Sequence, residues 1–342
     1  MIPKTDKFKE ECALIAIWNR EEAANLAYLG LYAQQHRGQE GAGIVAFDQN
    51  TQKTTTHRGV GLVSDVFHNF DFSRLPGSYS IGHVRYSTAG ESRLAEVQPF
   101  TAETSCGYMA LAQNGNLVNA DILRKELIKE GSIFSSTSDT EIILHLIAKE
   151  AGKASPLDSV IAAAKKIKGA FSLLIQFGDR LIALRDPNGF RPLSIAELDG
   201  GYILASETCA FDLLGAKYIR DLKAGEVLEI DALNNIESFF PFPEVQETPC
   251  IVEFVYFSRP DSFWYGESVH NARKKMGKIL AREAPVAADL VIPVPDSGVS
   301  AALGYAEEAG LPFEIGLIRN HYVGRTFIEP KQSIRDFGAK VK

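Results

Sequence analysis

Between residues 239 and 249 the chain reads FFPFPEVQETP, with Pro241, Pro243 and Pro249 inside nine positions. Each proline removes a backbone donor and fixes φ, so no regular element crosses such a stretch and a boundary falls at about 236–249. A length of 342 residues agrees, at roughly 150 residues per domain, with two domains. The halves are patterned differently. In the first, CALIAIW (12–18), GAGIVAFD (41–48), YSIGHVRYS (79–87) and MALAQNGN (109–116) read as short apolar strands, the last holding an Asn-Gly turn. FSLLIQF (171–177) and RLIALRD (180–186) are separated only by Gly178 and Asp179, which predicts a two-residue hairpin and so an antiparallel sheet. Leu26, Leu29, Gly30 and Ala33 recur at helical spacing within 21–38, predicting a helix closed by a left-handed glycine at Gly38. STSDTEIILHLIAKEAG (136–152) predicts a second helix, opened by a Ser138–Glu141 capping box, and Ser159 to Lys166 a third.

Beyond the prolines the order becomes strand (DLVIPVP, 289–295), turn (296–298), helix (SAALGYAEEAG, 300–310) and strand (FEIGLI, 313–318). This β-loop-α-β order is the start of a parallel α/β domain. Two parallel strands cannot supply a sheet covered on both faces, so the domain is expected to be incomplete at Lys342.

The charge balance, 36 Lys+Arg against 43 Asp+Glu for a net −7, argues against a basic nucleic-acid surface. No apolar run reaches the 18 or so residues of a membrane span, and MIPKTDKFKEE (1–11) has no signal-peptide h-region. A cytoplasmic protein is expected. Cys12, Cys106, Cys209 and Cys250 form no CxxC pair and do not read as a disulfide framework.

Alone, Cys12 reads as a buried strand cysteine, Arg85 as a strand-end cation and Asp139 as an acid in a helix's first turn. Taken in order, however, QHRGQEGAG (35–43), HVRYSTAG (83–90), QNGN (113–116) and SSTSDTE (135–141) resemble the motifs of the class II glutamine amidotransferases, from residue 12 to about 235. The resemblance implies an α+β N-terminal nucleophile domain, an αββα sandwich over 12–240, with Cys12 as nucleophile. It also implies that Asn114 and Gly115 form the oxyanion hole, that Arg85 binds the glutamine α-carboxylate and Asp139 its α-ammonium, and that Gly38 and Thr88 line the pocket. In such a mechanism the α-amine of the cysteine is the base, with a pKa of about 7.7–8.0. As encoded, the Cys12 nitrogen is an amide, so residues 1–11 are expected to be a propeptide removed before activity. His36, His83 and His145 have no ligand spacing and are expected to be structural.

In the second half VIPVPDSGVSAALGYAEEAGLPF (291–313) and RNHYVGRTF (319–327) resemble the glutamine phosphoribosylpyrophosphate amidotransferase family over 250–342. This implies an incomplete α/β type I phosphoribosyltransferase domain in which Asp296, Ser297 and Gly298 form the pyrophosphate loop and Ser297 is a Mg²⁺ ligand. His321 to Phe327 would be a closing loop. Cys250 resembles the first cysteine of the iron–sulfur subclass, but a [4Fe-4S] cluster takes four thiolates, and Cys106 and Cys209 do not match the others. A cluster is therefore expected only if the chain continues past Lys342, as is the family's main phosphoribosyl signature. The implied reaction hydrolyses glutamine at Cys12 and transfers ammonia to phosphoribosylpyrophosphate, giving 5-phosphoribosylamine at the first step of de novo purine biosynthesis. A homo-oligomer inhibited by purine nucleotides is the family's habit. The alternative is a truncated or inactive paralogue with a glutaminase or regulatory role only; the acceptor chemistries of hexosephosphate aminotransferases and asparagine synthetases use neither the PDSG nor the GRTF segment.

Overall fold

The structure, a computed structural model, describes residues 12–86 and 93–320, so the expectations for residues 1–11, Thr88 and His321 to Phe327 lie outside the described residues. The chain divides after Pro249. In the first unit the elements run β1 (Ala13–Trp18), α1 (Ala23–Ala33), β2 (Gly41–Asp48), β3 (Lys53–Val60), α2 (Val63–Val66), β4 (Tyr79–Arg85), β5 (Phe100–Thr104) and β6 (Gly107–Leu117). Three helices follow, α3 (Ala120–Lys129), α4 (Asp139–Glu150) and α5 (Pro156–Ala164), then β7 (Gly169–Phe177), β8 (Arg180–Arg185), β9 (Ser194–Leu198) and β10 (Gly201–Ala205). The unit closes with α6 (Cys209–Leu214), β11 (Lys217–Asp221), β12 (Val227–Ile230) and β13 (Ile236–Phe239).

Period-two side-chain alternation sorts these strands into layers. One sheet has the order β11-β9-β10-β1-β4-β2-β3 and the other β13-β12-β8-β7-β6-β5. Leu14, Ala16 and Trp18 on one face of β1 meet Ala110, Ala112, Leu174 and Ala183 of the second sheet, forming the core between the sheets. The opposite face of β1, Ala13, Ile15 and Ile17, packs with Ala24 and Leu31 of α1 and Phe211 of α6. Met109 and Leu111 on the outer face of β6 pack with Leu123, Ile143 and Val160 from α3, α4 and α5. The result is the expected αββα sandwich. The hairpin at Gly178 and Asp179 forms as read, with Phe177 opposite Arg180.

Several local expectations are corrected. The first helix ends at Ala33, and Gly38 is extended (φ −159°) rather than left-handed. Its missing side chain answers a close approach: a Cβ there would sit 2.7 Å from the carbonyl carbon and oxygen of Arg85. Asn114-Gly115 makes no turn, because β6 runs straight through it with Asn114 opposite Ser172 and Gly115 opposite Phe171. Ser138 caps α4 by accepting from the Thr140 N–H, but Glu141 does not close a capping box; its carboxylate accepts from the N–H and hydroxyl groups of Ser135 and Ser136. Residues 236–239, read as part of the break, form the edge strand β13.

In the second unit α7 (Val269–Glu283) packs on α8 (Val299–Ala309), and Gly310 closes α8 in the left-handed conformation (φ +66°). The helices approach so closely that a Cβ at Gly277 would stand 1.9 Å from the Ala301 carbonyl oxygen, and one at Gly304 1.9 Å from that of Lys274. The two expected strands are reduced to a single parallel bridge, Val291 with Phe313, leaving Ile292, Val294, Ile315 and Leu317 exposed. Among the described residues neither segment has a further strand beside it, and an isolated parallel pair is not self-sustaining.

Candidate active site

Cys12 stands at the head of β1, a central strand, and Ala13 pairs with Val84, which places Cys12 beside the Arg85 end of β4. The alternation that sends Leu14, Ala16 and Trp18 between the sheets puts Cys12 on the same face. Tyr79 and Ile81 bring His83 and Arg85 to that face from β4, and Ala110 and Ala112 bring Asn114 from β6. Nucleophile candidate, cation and amide thus converge on the end of one inter-sheet layer.

The Cys12 residue is buried, with Sγ 3.9 Å from the Tyr86 carbonyl oxygen. Beneath it lies a buried charge cluster. Arg37 Nε donates to the Cys12 carbonyl (3.3 Å), Arg37 Nη1 pairs with Glu207 Oε1 (2.6 Å), and His36 Nε2 meets the same oxygen at 2.7 Å. Ser206 and Gln34 clamp β1 two residues further on, both bonding to the Leu14 backbone.

Asn114 is fully buried, yet among the described residues neither its Oδ1 nor its Nδ2 has a hydrogen-bond partner. Buried amides are normally satisfied, so this one is an exception to the usual pattern. Gly115 follows at φ +149°, where a Cβ would lie 2.0 Å from the Ala170 carbonyl oxygen, so glycine is obligatory. Arg85, whose side chain is only 13% exposed, pairs with Glu40 at 3.5 Å and is not a surface cation.

Asp139 opens α4 and is tied to β6: its Oδ2 accepts from the Leu117 N–H (2.8 Å) and from Gln113 Nε2 (3.3 Å). Burial pushes its carboxyl up from the usual carboxylate range, opposed by those hydrogen bonds. Gly38 packs on the backbone of Arg85, and its carbonyl accepts from the Gln35 side chain.

In the second unit Asp296, Ser297 and Gly298 form the turn into α8, with Gly298 as N-cap residue. Asp296 is held by Arg319 (Nη1 to Oδ2, 2.7 Å), and Ser297 is exposed. A Cβ at Gly298 would meet the Val294 carbonyl oxygen at 2.7 Å, which explains a glycine at an ordinary negative φ.

Comparison with known proteins agrees with both halves. Residues 83–212 match the model of a glutamine amidotransferase domain. The chain is 51% identical over 342 residues to amidophosphoribosyltransferase 3, chloroplastic, of Arabidopsis thaliana, covering 100% of this chain and 64% of that protein. It is also 51% identical over 342 residues to the amidophosphoribosyltransferase of Rhizobium etli, covering 98% of this chain and 68% of the relative. The chain belongs to the amidophosphoribosyltransferase family. A solved glutamine phosphoribosylpyrophosphate amidotransferase from B. subtilis, complexed with ADP and GMP, superimposes with a TM-score of 0.87 at 47% identity, over 96% of this chain and 70% of that one.

Members of this family are expected to use Mg²⁺ and, in one subclass, a cluster, and the two fit this chain differently. Ser297 offers a hydroxyl beside the helix N-terminus that would face a diphosphate, a donor suited to an ion carried largely by substrate oxygens. For a cluster Cys250 is one thiol where four are needed, and among the described residues no group of three or more His, Cys, Asp or Glu can hold a metal.

Motif reading missed the groups that brace the site. Glu207 lies 170 residues from Arg37 and carries no local signature. Gln98 lies in no motif, and Gln113 and Thr140 appear only as letters of QNGN and SSTSDTE, with no role of their own.

Proposed function

We propose that this chain is an amidophosphoribosyltransferase that hydrolyses glutamine at Cys12 and passes the ammonia to phosphoribosylpyrophosphate, giving 5-phosphoribosylamine at the first step of de novo purine biosynthesis. The observation that carries this reading is the buried, unpartnered amide of Asn114 on the inter-sheet face shared with Cys12 and Arg85. Removal of residues 1–11 converts the Cys12 nitrogen to a free amine. The amine takes the thiol proton as Sγ bonds to the amide carbon of glutamine, and the negative charge that develops on oxygen is met by Asn114 Nδ2 and the Gly115 N–H. Collapse breaks the C–N bond, the amine's proton leaves with ammonia, and water cleaves the thioester to glutamate. Arg85 and Asp139 hold the α-carboxylate and α-ammonium, which selects an amino-acid amide over other amides.

In the second unit the Asp296–Gly298 turn and the N-terminus of α8 receive the diphosphate of the acceptor, with Ser297 as the protein's hydroxyl ligand to Mg²⁺. Bound there, Mg²⁺ would draw charge from the leaving pyrophosphate as ammonia attacks C1 of the sugar. We further propose a cytoplasmic homo-oligomer inhibited by purine nucleotides; the ADP and GMP bound in the B. subtilis relative support the inhibition. No described helix is long and apolar enough to cross a membrane.

The test is glutamate release by the purified protein, with and without phosphoribosylpyrophosphate. Cys12→Ala should abolish it, and phosphoribosylpyrophosphate should raise it in the unaltered protein. Survival of activity in Cys12→Ala overturns the assignment.

A further inference from the structure

Between the residue assigned to the oxyanion and the residue assigned to the α-ammonium the structure builds a closed ring of neutral hydrogen bonds. Gln113 immediately precedes Asn114 in β6, and Thr140 immediately follows Asp139 in α4. The Gln113 N–H donates to Gln98 Oε1 (2.7 Å), Gln98 Nε2 donates to Thr140 Oγ1 (2.9 Å), and the Thr140 hydroxyl donates to Gln113 Oε1 (2.8 Å). From the ring, Gln113 Nε2 reaches Asp139 Oδ2 (3.3 Å). Gln98, Gln113 and Thr140 are all buried, so these bonds face no competition from solvent. Each amide uses its oxygen on a donor and its nitrogen on an acceptor, so turning either one over would set two donors or two acceptors face to face. The pattern has one arrangement.

We propose that Gln98, Gln113 and Thr140 are positioning residues that fix the span between Asp139 and Asn114, and that this span selects a substrate whose α-ammonium and amide carbonyl are separated by the length of glutamine. The inference rests on the glutaminase reading of the site. A strand and a helix packed only by apolar side chains could slide by a fraction of an ångström at little cost. The ring removes that freedom at the two residues whose separation must match the ligand.

The test compares alkylation of Cys12, in the protein with Cys12 at its amino terminus, by three probes. One is the glutamine-length diazoketone 6-diazo-5-oxo-L-norleucine, the second its homologue one methylene shorter, and the third iodoacetamide, which has neither ammonium nor carboxylate. With a diazoketone the probe carbon takes the thiol proton and loses N₂ as the C–S bond forms. Thr140→Val keeps side-chain volume but deletes the hydroxyl that closes the ring. It should slow the glutamine-length probe by about tenfold or more, shrink its advantage over the shorter homologue and leave iodoacetamide within about threefold. Thr140→Ser, which keeps the hydroxyl, should restore the preference. If Thr140→Val does not fold, Gln113→Asn, which retracts the amide by one methylene, carries the same comparison. An unchanged length preference in a folded variant, or an equal loss with all three probes, overturns the proposal. Glutamine hydrolysis by Cys12→Ala would instead overturn the underlying reading of the site.

Discussion

Gly38 lies against Arg85 with its Cα directed at the Arg85 backbone, and a methyl group added there would stand 2.7 Å from both the carbonyl carbon and oxygen and 2.9 Å from the nitrogen. Backbone cannot swing aside as a side chain can, so Gly38→Ala must displace β4 at the residue that carries the guanidinium. The expected cost is about 1–3 kcal/mol of stability, seen in denaturant unfolding, with a raised KM for glutamine. An alanine variant with unaltered KM would show that Arg85 does not bind the substrate.

Asn114 presents the opposite case, a residue whose removal helps the fold. Its two side-chain polar atoms are buried with no partner among the described residues, so the folded protein bears their desolvation for no hydrogen bond in return. Asn114→Leu, close in volume, should raise stability by about 1–3 kcal/mol. Asn114→Ala should lower glutamine hydrolysis by about 10²- to 10³-fold. Loss of stability in Asn114→Leu would mean that the amide is satisfied within the protein.

His83 should make the protein acid-sensitive. Burial, with Arg85 nearby, lowers its pKa from 6.5 to about 3. The unfolded chain therefore binds a proton near pH 6.5 that the folded chain refuses until about pH 3. The stability in question is complete above pH 6.5 and drains by about 1.4 kcal/mol per pH unit as pH falls toward 3. Between pH 6.5 and 4 the unaltered protein should lose about 3 kcal/mol more than His83→Leu in urea melts. Parallel curves for the two proteins would show that His83 is not buried neutral.

The Arg37–Glu207 pair, both side chains 1% exposed, predicts a non-additive pattern. Arg37→Met or Glu207→Gln alone strands a buried charge and should cost about 3–5 kcal/mol, whereas Arg37→Met with Glu207→Leu should cost less than either. A double-mutant cycle on unfolding free energies, with Arg37→Met and Glu207→Leu made singly and together, checks this. Additive losses would show that the two charges do not compensate each other.

What was legible in the chain was what neighbours in sequence decide. The hairpin at Gly178 and Asp179 and the strand 12–18 follow from short-range periodicity, and the structure has both. The order of the motifs led to the αββα fold and to the family. What could not be read was decided by distant chain. Asn114-Gly115 has the composition of a turn, but β7, more than fifty residues on, pairs across it and keeps it straight. Gly38 looked like a helix terminator because glycine usually is, and the cause lay instead in the backbone of Arg85. Glu141 was read as closing a box on its own helix, yet Ser135 and Ser136 offer four donors at shorter reach. The strands at 289–295 and 313–318 have the right composition but, among the described residues, too few neighbours to form a sheet.

The two glycines that let α7 and α8 touch also determine what a substitution there would do. With Gly277 and Gly304 each facing the other helix's main chain, any larger residue acts as a wedge, and a helix answers a wedge as a rod does, by tilting rather than yielding locally. Gly304 lies six residues from Gly298, about 9 Å along the axis, so the tilt is delivered as a lever arm to the turn that begins α8. A methyl group buried between two helices would be felt at Ser297, in the aim of a hydroxyl it never touches.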